Sequence, residues 1–387
     1  MEPVRLAVVG CGGIAGAHVR ALCALWEKGQ RPLEVVAACD VDEGRARQLA
    51  ASVAQYQGQE PAVYTDVRCL LAREERVEAV DICALHSEHH TLAVPCLEAG
   101  KDVLIEKPLA ITMRAGRAML EAALRARRLL AVAENYRRSP EERARHWAIR
   151  QGRIGVPRTF YWQDVGEGLG KWGWRNFRMQ AGAGWVLDGG VHFADLFRYH
   201  LGGEAVEVFA RVHQYEPHRY DVPKARTGAW QVDVEDAVMA VVTFPGEVLV
   251  QWTWQGSAPG QSFSRRALYG SEGCIDWATG VWSRNDAHVD NETLVQEYLA
   301  GLAEEEKEGL FPAGVTDGFA VELVDFARAV RGGCPCEVDG MGGYRAQAIC
   351  LAVFESAWLG RPVTLREVER CQTEGYQADI NQALGIC

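Results

Sequence analysis

At 387 residues the chain is too long for one ordinary hydrophobic core, so two domains are expected. Hydrophobic residues make up 48% and charged residues 24%, the balance of a globular protein, and no window approaches the roughly 18 uninterrupted apolar residues that a bilayer span requires. A net charge of -11 with no basic stripe works against nucleic acid and anionic membranes as partners.

Met1-Glu2-Pro3-Val4-Arg5-Leu6 runs directly into a strand pattern without the basic, apolar and small-residue zones of a signal peptide, and a cytoplasmic location is expected. The twelve cysteines fall mostly in apolar segments (Cys11, Cys23, Cys39, Cys83, Cys96, Cys350), with no Cys-x-x-Cys or paired zinc spacing. They read as reduced thiols, and no metal site is expected.

Over residues 1–134 short β-rich runs alternate with amphipathic stretches. Arg5–Val9, Leu33–Cys39, Ala79–Leu85, Asp102–Ile105 and Leu129–Ala133 read as strands, Ala15–Glu27 and Glu43–Gln55 as helices. This alternation predicts an α/β fold, a doubly wound parallel sheet of the Rossmann kind. In the first turn Gly10 allows a sharp bend, Gly12, followed by Gly13 and Ile14, lets the backbone approach a pyrophosphate at a helix N-terminus, and Ala15 permits close helix packing. Asp40, at the end of the second strand, is placed to accept both adenosine ribose hydroxyls and to repel a 2′-phosphate, which favours NAD over NADP. Asp40 would otherwise be a helix cap, but Asp42 serves that role equally well.

Val103-Leu104-Ile105-Glu106-Lys107-Pro108 sets a lysine at the end of a buried strand, and Pro108 keeps the strand from continuing past the charge. A surface lysine is the plainer reading. Desolvation beside a cationic nicotinamide would instead lower its pKa enough for proton transfer near neutrality. Downstream, Gly182-Ala183-Gly184-Trp185-Val186-Leu187-Asp188-Gly189-Gly190-Val191-His192 predicts a helix starting near Asp188, with Asp188 and His192 on one face at i,i+4. The plainer roles here are an N-cap for Asp188 and a satisfied core position for His192.

Gly10-Cys11-Gly12-Gly13-Ile14-Ala15-Gly16-x-His18, the run Glu98 to Ala110, and the segment around Asp188 resemble the Gfo/Idh/MocA oxidoreductase family. Further matches at Ala267 to Gly273, Val330 to Gly333 and Glu355 to Val363 extend the resemblance over nearly the whole chain. One departure is Ala84-Leu85-His86-Ser87-Glu88-His89, where the family usually carries Thr-Pro-Asn-x-x-His. The family role of this loop, lining the diphosphate and nicotinamide ribose, falls to Leu85, His86 and His89. His86, His89 and His90 as metal ligands are the weaker reading, with no carboxylate or thiol pattern nearby.

The resemblance implies that Lys107, Asp188 and His192 surround the substrate. His192 is the expected general base, since an imidazole titrates nearest neutral pH. Lys107 would stabilise developing alkoxide character, Asp188 orient the hydroxyl or the imidazole, and Glu106 hold the lysine or the nicotinamide ribose. Asn135, Trp174 and Arg175 resemble cofactor positions; Tyr136, Arg137 and Trp162 are expected at the substrate.

Residues 135–365 are expected to form an α+β domain with an open, mainly antiparallel sheet from Thr159–Val165, Val206–Val212, Ala237–Phe244, Val248–Trp254, Arg265–Tyr269 and Cys274–Trp277. A helix at 345–359 should return to the first domain, and 366–387 should form a tail. The polar stretch His213 to Val232 reads as a lid or arm, and Glu292 to Gly309 as one Glu-rich helix. Family relatives cover the open sheet face with another subunit, implying a homodimer or homotetramer. The leading functional expectation is an NAD-dependent dehydrogenase for a secondary hydroxyl of a sugar, cyclitol or glycoside. An NAD-dependent glycoside hydrolase working by transient sugar oxidation comes second, and a non-catalytic NAD-sensing regulator third.

Overall fold

Short runs of Val, Ile, Leu and Ala that can be covered on both faces become six strands: β1 (Val4–Val9), β2 (Leu33–Cys39), β3 (Ala62–Tyr64), β4 (Ala79–Ile82), β5 (Asp102–Glu106) and β6 (Leu130–Ala133). In the computed structural model, which describes residues 2–386, they form an all-parallel sheet in the order β3-β2-β1-β4-β5-β6. The order reverses between β1 and β4, and it is beyond the carboxyl ends of strands at such a point that doubly wound sheets bind ligands. The helices α1 (Gly13–Glu27) and α2 (Glu43–Gln57) follow β1 and β2. Asp42 caps α2 by accepting from the amides of Gly44 and Arg45, which leaves Asp40 to another use. β3 escaped the sequence reading because three half-buried residues carry no periodicity.

The chain divides into two units. The first holds the chain through Ala110, Ala115–Ser139 and Leu302–Tyr344; the second holds Ile111–Arg114, Pro140–Gly301 and the chain from Arg345 onward. The stretch that returns to the first unit is therefore 302–344, not 345–359. Its helix Gly318–Val330 sets Ala320, Leu323, Phe326 and Ala327 into the core shared with Ala15, Val19 and Leu22 of α1. Residues 345–359 close a longer helix, Gly340–Leu359, and belong to the second unit. What was expected to be a separate tail is also packed there, through buried Val368 and Ile380.

In the second unit the strands are β7 (Pro157–Val165), β8 (Glu207–His213), β9 (His218–Arg219), β10 (Trp230–Gln231), β11 (Ala237–Phe244), β12 (Val248–Gln255), β13 (Phe263–Gly270), β14 (Gly273–Asp276), β15 (Gly280–Ser283), β16 (His288–Val289) and β17 (Val363–Thr364). Nine of them form one sheet in the order β16-β15-β14-β13-β7-β12-β11-β8-β17, antiparallel except for the central β7–β12 pair. The 213–232 stretch folds as a ribbon in which β9 pairs with β10. One face of the large sheet buries Phe160, Trp162 and Trp252 against Phe193 and Phe197 of the helix Gly190–Leu201. Strand alternation puts Tyr161, Phe209, Met239, Val241 and Leu249 on the other face, where they are exposed. The Glu-rich 292–309 stretch is two helices, Asn291–Gly301 and Glu304–Leu310, rather than one. Among the described residues no helix is long and apolar enough to cross a membrane.

Candidate active site

The first unit builds a cradle at the end of β1. Gly10 sits at φ +86°, and a Cβ there would lie 2.6 Å from the Cys83 carbonyl oxygen, so only glycine fits. Gly12 and Gly13 are the opposite case, with nothing within 4 Å of where a Cβ would stand. The N-terminus of α1 has no side-chain cap. Asp40 accepts from the amides of Cys11 (2.7 Å) and Asp42 (2.9 Å), which pins its carboxylate beside the turn. A cavity of about 810 Å³ opens here, lined by Gly12, Gly13, Gly16 and Arg20 on one side and by Arg45 and Ser52 on the other. An uncapped helix start, open ground above two glycines and a fixed carboxylate fit a dinucleotide: Gly12 and Gly13, with Ile14 behind them, would hold the diphosphate, and Asp40 the ribose.

Beyond β5 lies Lys107. Its backbone amide donates to Glu106 Oε2 (3.1 Å), while Glu106 Oε1 turns inward to His18 Nε2 (3.2 Å). Glu106 thus holds the lysine by its main chain and spends its other oxygen on the core. His18, on α1 and 1% exposed, donates from Nδ1 to Asp81 Oδ2 at 2.8 Å; its Nε2 also lies 3.5 Å from Glu322 Oε1. Burial opposes charge on this ring, but the Asp81 carboxylate outweighs it and holds the imidazole well above its ordinary value. Glu322 has no hydrogen-bond partner on either oxygen, and burial pushes its carboxyl well above the carboxylate range. The ligand atoms of His18, Asp81 and Cys83 lie within 4.8 Å of one another, a grouping knitted together by the imidazolium. The sequence reading missed this cluster; its signals were Asp81 inside an apolar strand and Glu322 inside an apolar helix.

Two histidines expected at the cofactor loop are buried. His89 is wholly buried, and its ring nitrogen Nδ1 lies 2.8 Å from the Pro108 carbonyl oxygen, so it braces the turn after Lys107. Burial, with the nearby His86 ring, lowers it to about 3, so it stays neutral. His86 lies in the turn His86–Glu88 with its ring 5.5 Å from that of His89, and Leu85, just before it, is half-buried. Asn135 precedes the turn Tyr136–Arg138 and leaves no room for a side chain at Gly318. Tyr136 is 42% exposed and Arg137 half-buried; both belong to the first unit.

In the second unit Asp188 ends the helical turn Trp185–Asp188 instead of starting a helix, and the helix Gly190–Leu201 begins after Gly189. Asp188 is therefore not an N-cap. Gly189 keeps right-handed helical angles (φ -96°, ψ -35°), so the four-residue spacing still brings Asp188 and His192 to one side. Both are buried. Asp188 Oδ1 accepts from Arg175 Nε (3.3 Å), and the Arg175 guanidinium lies over Trp174 (4.4 Å) and Trp172 (5.3 Å). Glu235, from the loop before β11, accepts from the amides of Gly184 (2.7 Å) and Val186 (3.1 Å) and so fixes the start of the Asp188 turn. Burial raises its carboxyl to about 7 against the pull of those amides. Trp162, expected at the substrate, is instead placed in the core, at 1% exposure and packed among Phe160, Phe193 and Trp277.

Residues 4–134 match the oxidoreductase family with an NAD-binding Rossmann fold, Gfo/Idh/MocA, and residues 143–276 match the C-terminal domain of the same family. The chain is similar to levoglucosan dehydrogenase of Pseudarthrobacter phenanthrenivorans, at 28% identity over 392 residues covering 92% of this chain and 97% of that one. It is likewise similar to inositol 2-dehydrogenase of Rubrobacter xylanophilus, at 28% identity over 377 residues and 95% of each chain. A solved oxidoreductase domain protein from Kribbella flavida superposes with a TM-score of 0.77 at 25% identity, over 94% of this chain and 100% of that one.

Proposed function

The chain belongs to the Gfo/Idh/MocA family of oxidoreductases, and on that premise we propose that it is an NAD-dependent dehydrogenase acting on a secondary hydroxyl of a sugar, cyclitol or glycoside. The observation that carries the reading is the buried Asp188–His192 pair, with Asp188 held by Arg175. NAD, when bound, accepts the hydride. His192 removes the hydroxyl proton, work an imidazole can do in both directions near neutral pH. Asp188 orients it, and Arg175 keeps that carboxylate in place. Lys107 stabilises negative charge on the reacting oxygen. Asp40 selects NAD over NADP by the charge of its carboxylate. The names of the relatives, levoglucosan and inositol dehydrogenases, support the substrate class.

The test is to incubate the purified protein with NAD and a panel of free sugars, cyclitols and glycosides, following reduced-nicotinamide absorbance. Lys107→Ala and His192→Ala should bind NAD nearly as the parent does in a calorimetric titration and lose turnover; full activity in both sinks the assignment. The same proposal includes a homodimer or homotetramer formed through the open sheet face, where Tyr161, Phe209, Met239, Val241 and Leu249 leave apolar surface for a second copy to cover.

A further inference from the structure

The second unit contains a cavity of about 790 Å³ whose wall carries three indoles, Trp172, Trp185 and Trp254. The Trp185 ring stands between the others, 5.9 Å from Trp172 and 6.1 Å from Trp254, within 28° of parallel to the latter. These indoles behave unlike their neighbours. Trp252 is 1% exposed in the core, whereas Trp254, two residues further along the same face of β12, is partly uncovered and Trp172 is 40% exposed.

Charge narrows the occupant. Three cations line the cavity, and each is engaged: Lys171 with Asp221 (2.9 Å), Arg175 with Asp188 (3.3 Å), and Arg219 with the carbonyls of Glu216 (2.8 Å) and His218 (3.0 Å). The same wall also carries the carboxyl groups of Asp164, Glu167 and Glu235, which work against a phosphate or carboxylate, and the indoles favour a ligand that offers them flat faces. Size is compatible with more than one ring, since about 790 Å³ lies in the range of sites that take drug-sized molecules. Arg175 lines the cavity and also holds Asp188, so one side chain links the two places.

We propose that this cavity is a subsite for the second ring of a neutral glycoside, pyranosyl or aryl, whose first ring presents its hydroxyl to Asp188 and His192. The inference rests on the dehydrogenase reading above and narrows its substrate to two-ring glycosides.

The test uses the full chain with NAD and paired probes sharing a reacting ring: glucose and galactose against their phenyl glycosides and against maltose, cellobiose and lactose. The two-ring probes should exceed their one-ring partners in kcat/KM by about tenfold, the scale of one aromatic stacking contact. Trp254→Ala should bring that ratio toward one, and Trp254→Phe should restore part of it. In parallel, without NAD, phenyl glycosides and disaccharides should change the indole fluorescence of the parent protein, and glucose should not. Preference between the phenyl and pyranosyl arms identifies the second ring. One-ring probes turned over as well as two-ring probes, with the ratio unmoved in Trp254→Ala, overturn the subsite and leave the dehydrogenase intact. Turnover of no probe, with a fluorescence change on two-ring ligands, overturns the dehydrogenase reading and keeps the cavity as a glycoside site. Silence in both measurements overturns both.

Discussion

Replacing His18 with leucine should destabilise the dinucleotide-binding unit by about 3–5 kcal/mol near pH 6, the scale of breaking a buried ion pair by deleting one partner. Among the described residues the imidazolium is the cation bonded to Asp81 and Glu106, at 2.8 and 3.2 Å, and all three groups are buried. Without it both carboxyls must either stay ionised in the core or take up protons. The pH profile carries the sign. The folded pKa of His18 is raised, so its stabilisation is complete below about 6.5, the unfolded value, and is lost as pH rises through the folded one. The gap between parent and variant should therefore be full below about pH 6.5 and narrow as pH rises through the folded value of His18. Hydrogen exchange of β4 and β5 amides, followed by mass spectrometry across that range, reads the unit directly. A loss under about 1 kcal/mol at pH 6, no more than an exposed ion pair gives, refutes the imidazolium as the centre of the cluster.

Gly10→Ala should weaken NAD binding and lower the melting temperature, since its methyl would lie 2.6 Å from the Cys83 carbonyl at a left-handed backbone position; a thermal shift with and without NAD reads both effects. Glu235 titrates at about 7 when folded and near 4.5 when unfolded, so its contribution to stability is complete below about 4.5 and is lost as pH rises through about 7, a span worth about 3 kcal/mol. Urea midpoints across that window should fall for the parent, and the slope should flatten in Glu235→Gln. Met239→Glu places a charge at the middle of the exposed apolar sheet face, where Met239 is 62% exposed, and should give a smaller particle by light scattering with its near-ultraviolet dichroism unchanged.

Local pattern alone placed the parallel sheet, because β1, β2, β4, β5 and β6 are mostly buried and read as apolar runs interrupted only by single charged residues such as Arg5, Glu34 and Asp81. It also marked Gly10, Asp40, Lys107, Asp188 and His192, where a turn, a charge at a strand end or a helical spacing stands out from its neighbours. Other features needed the folded chain. His18, Asp81, Glu106 and Glu322 come from four separate elements, and no window of sequence shows that one ring joins them. That His89 is wholly buried and braces the Pro108 carbonyl is likewise absent from the local pattern, since accessibility is set by what packs above a residue. The tryptophans show the same limit: Trp252 and Trp254 are indistinguishable by pattern on one strand face, yet Trp252 packs on Phe197 in the core and Trp254 stacks near Trp185 on a cavity wall. Sequence determined which groups are present and which way each strand and helix turns them; burial, charge pairing and open space arise between distant segments, so the tertiary structure decided those.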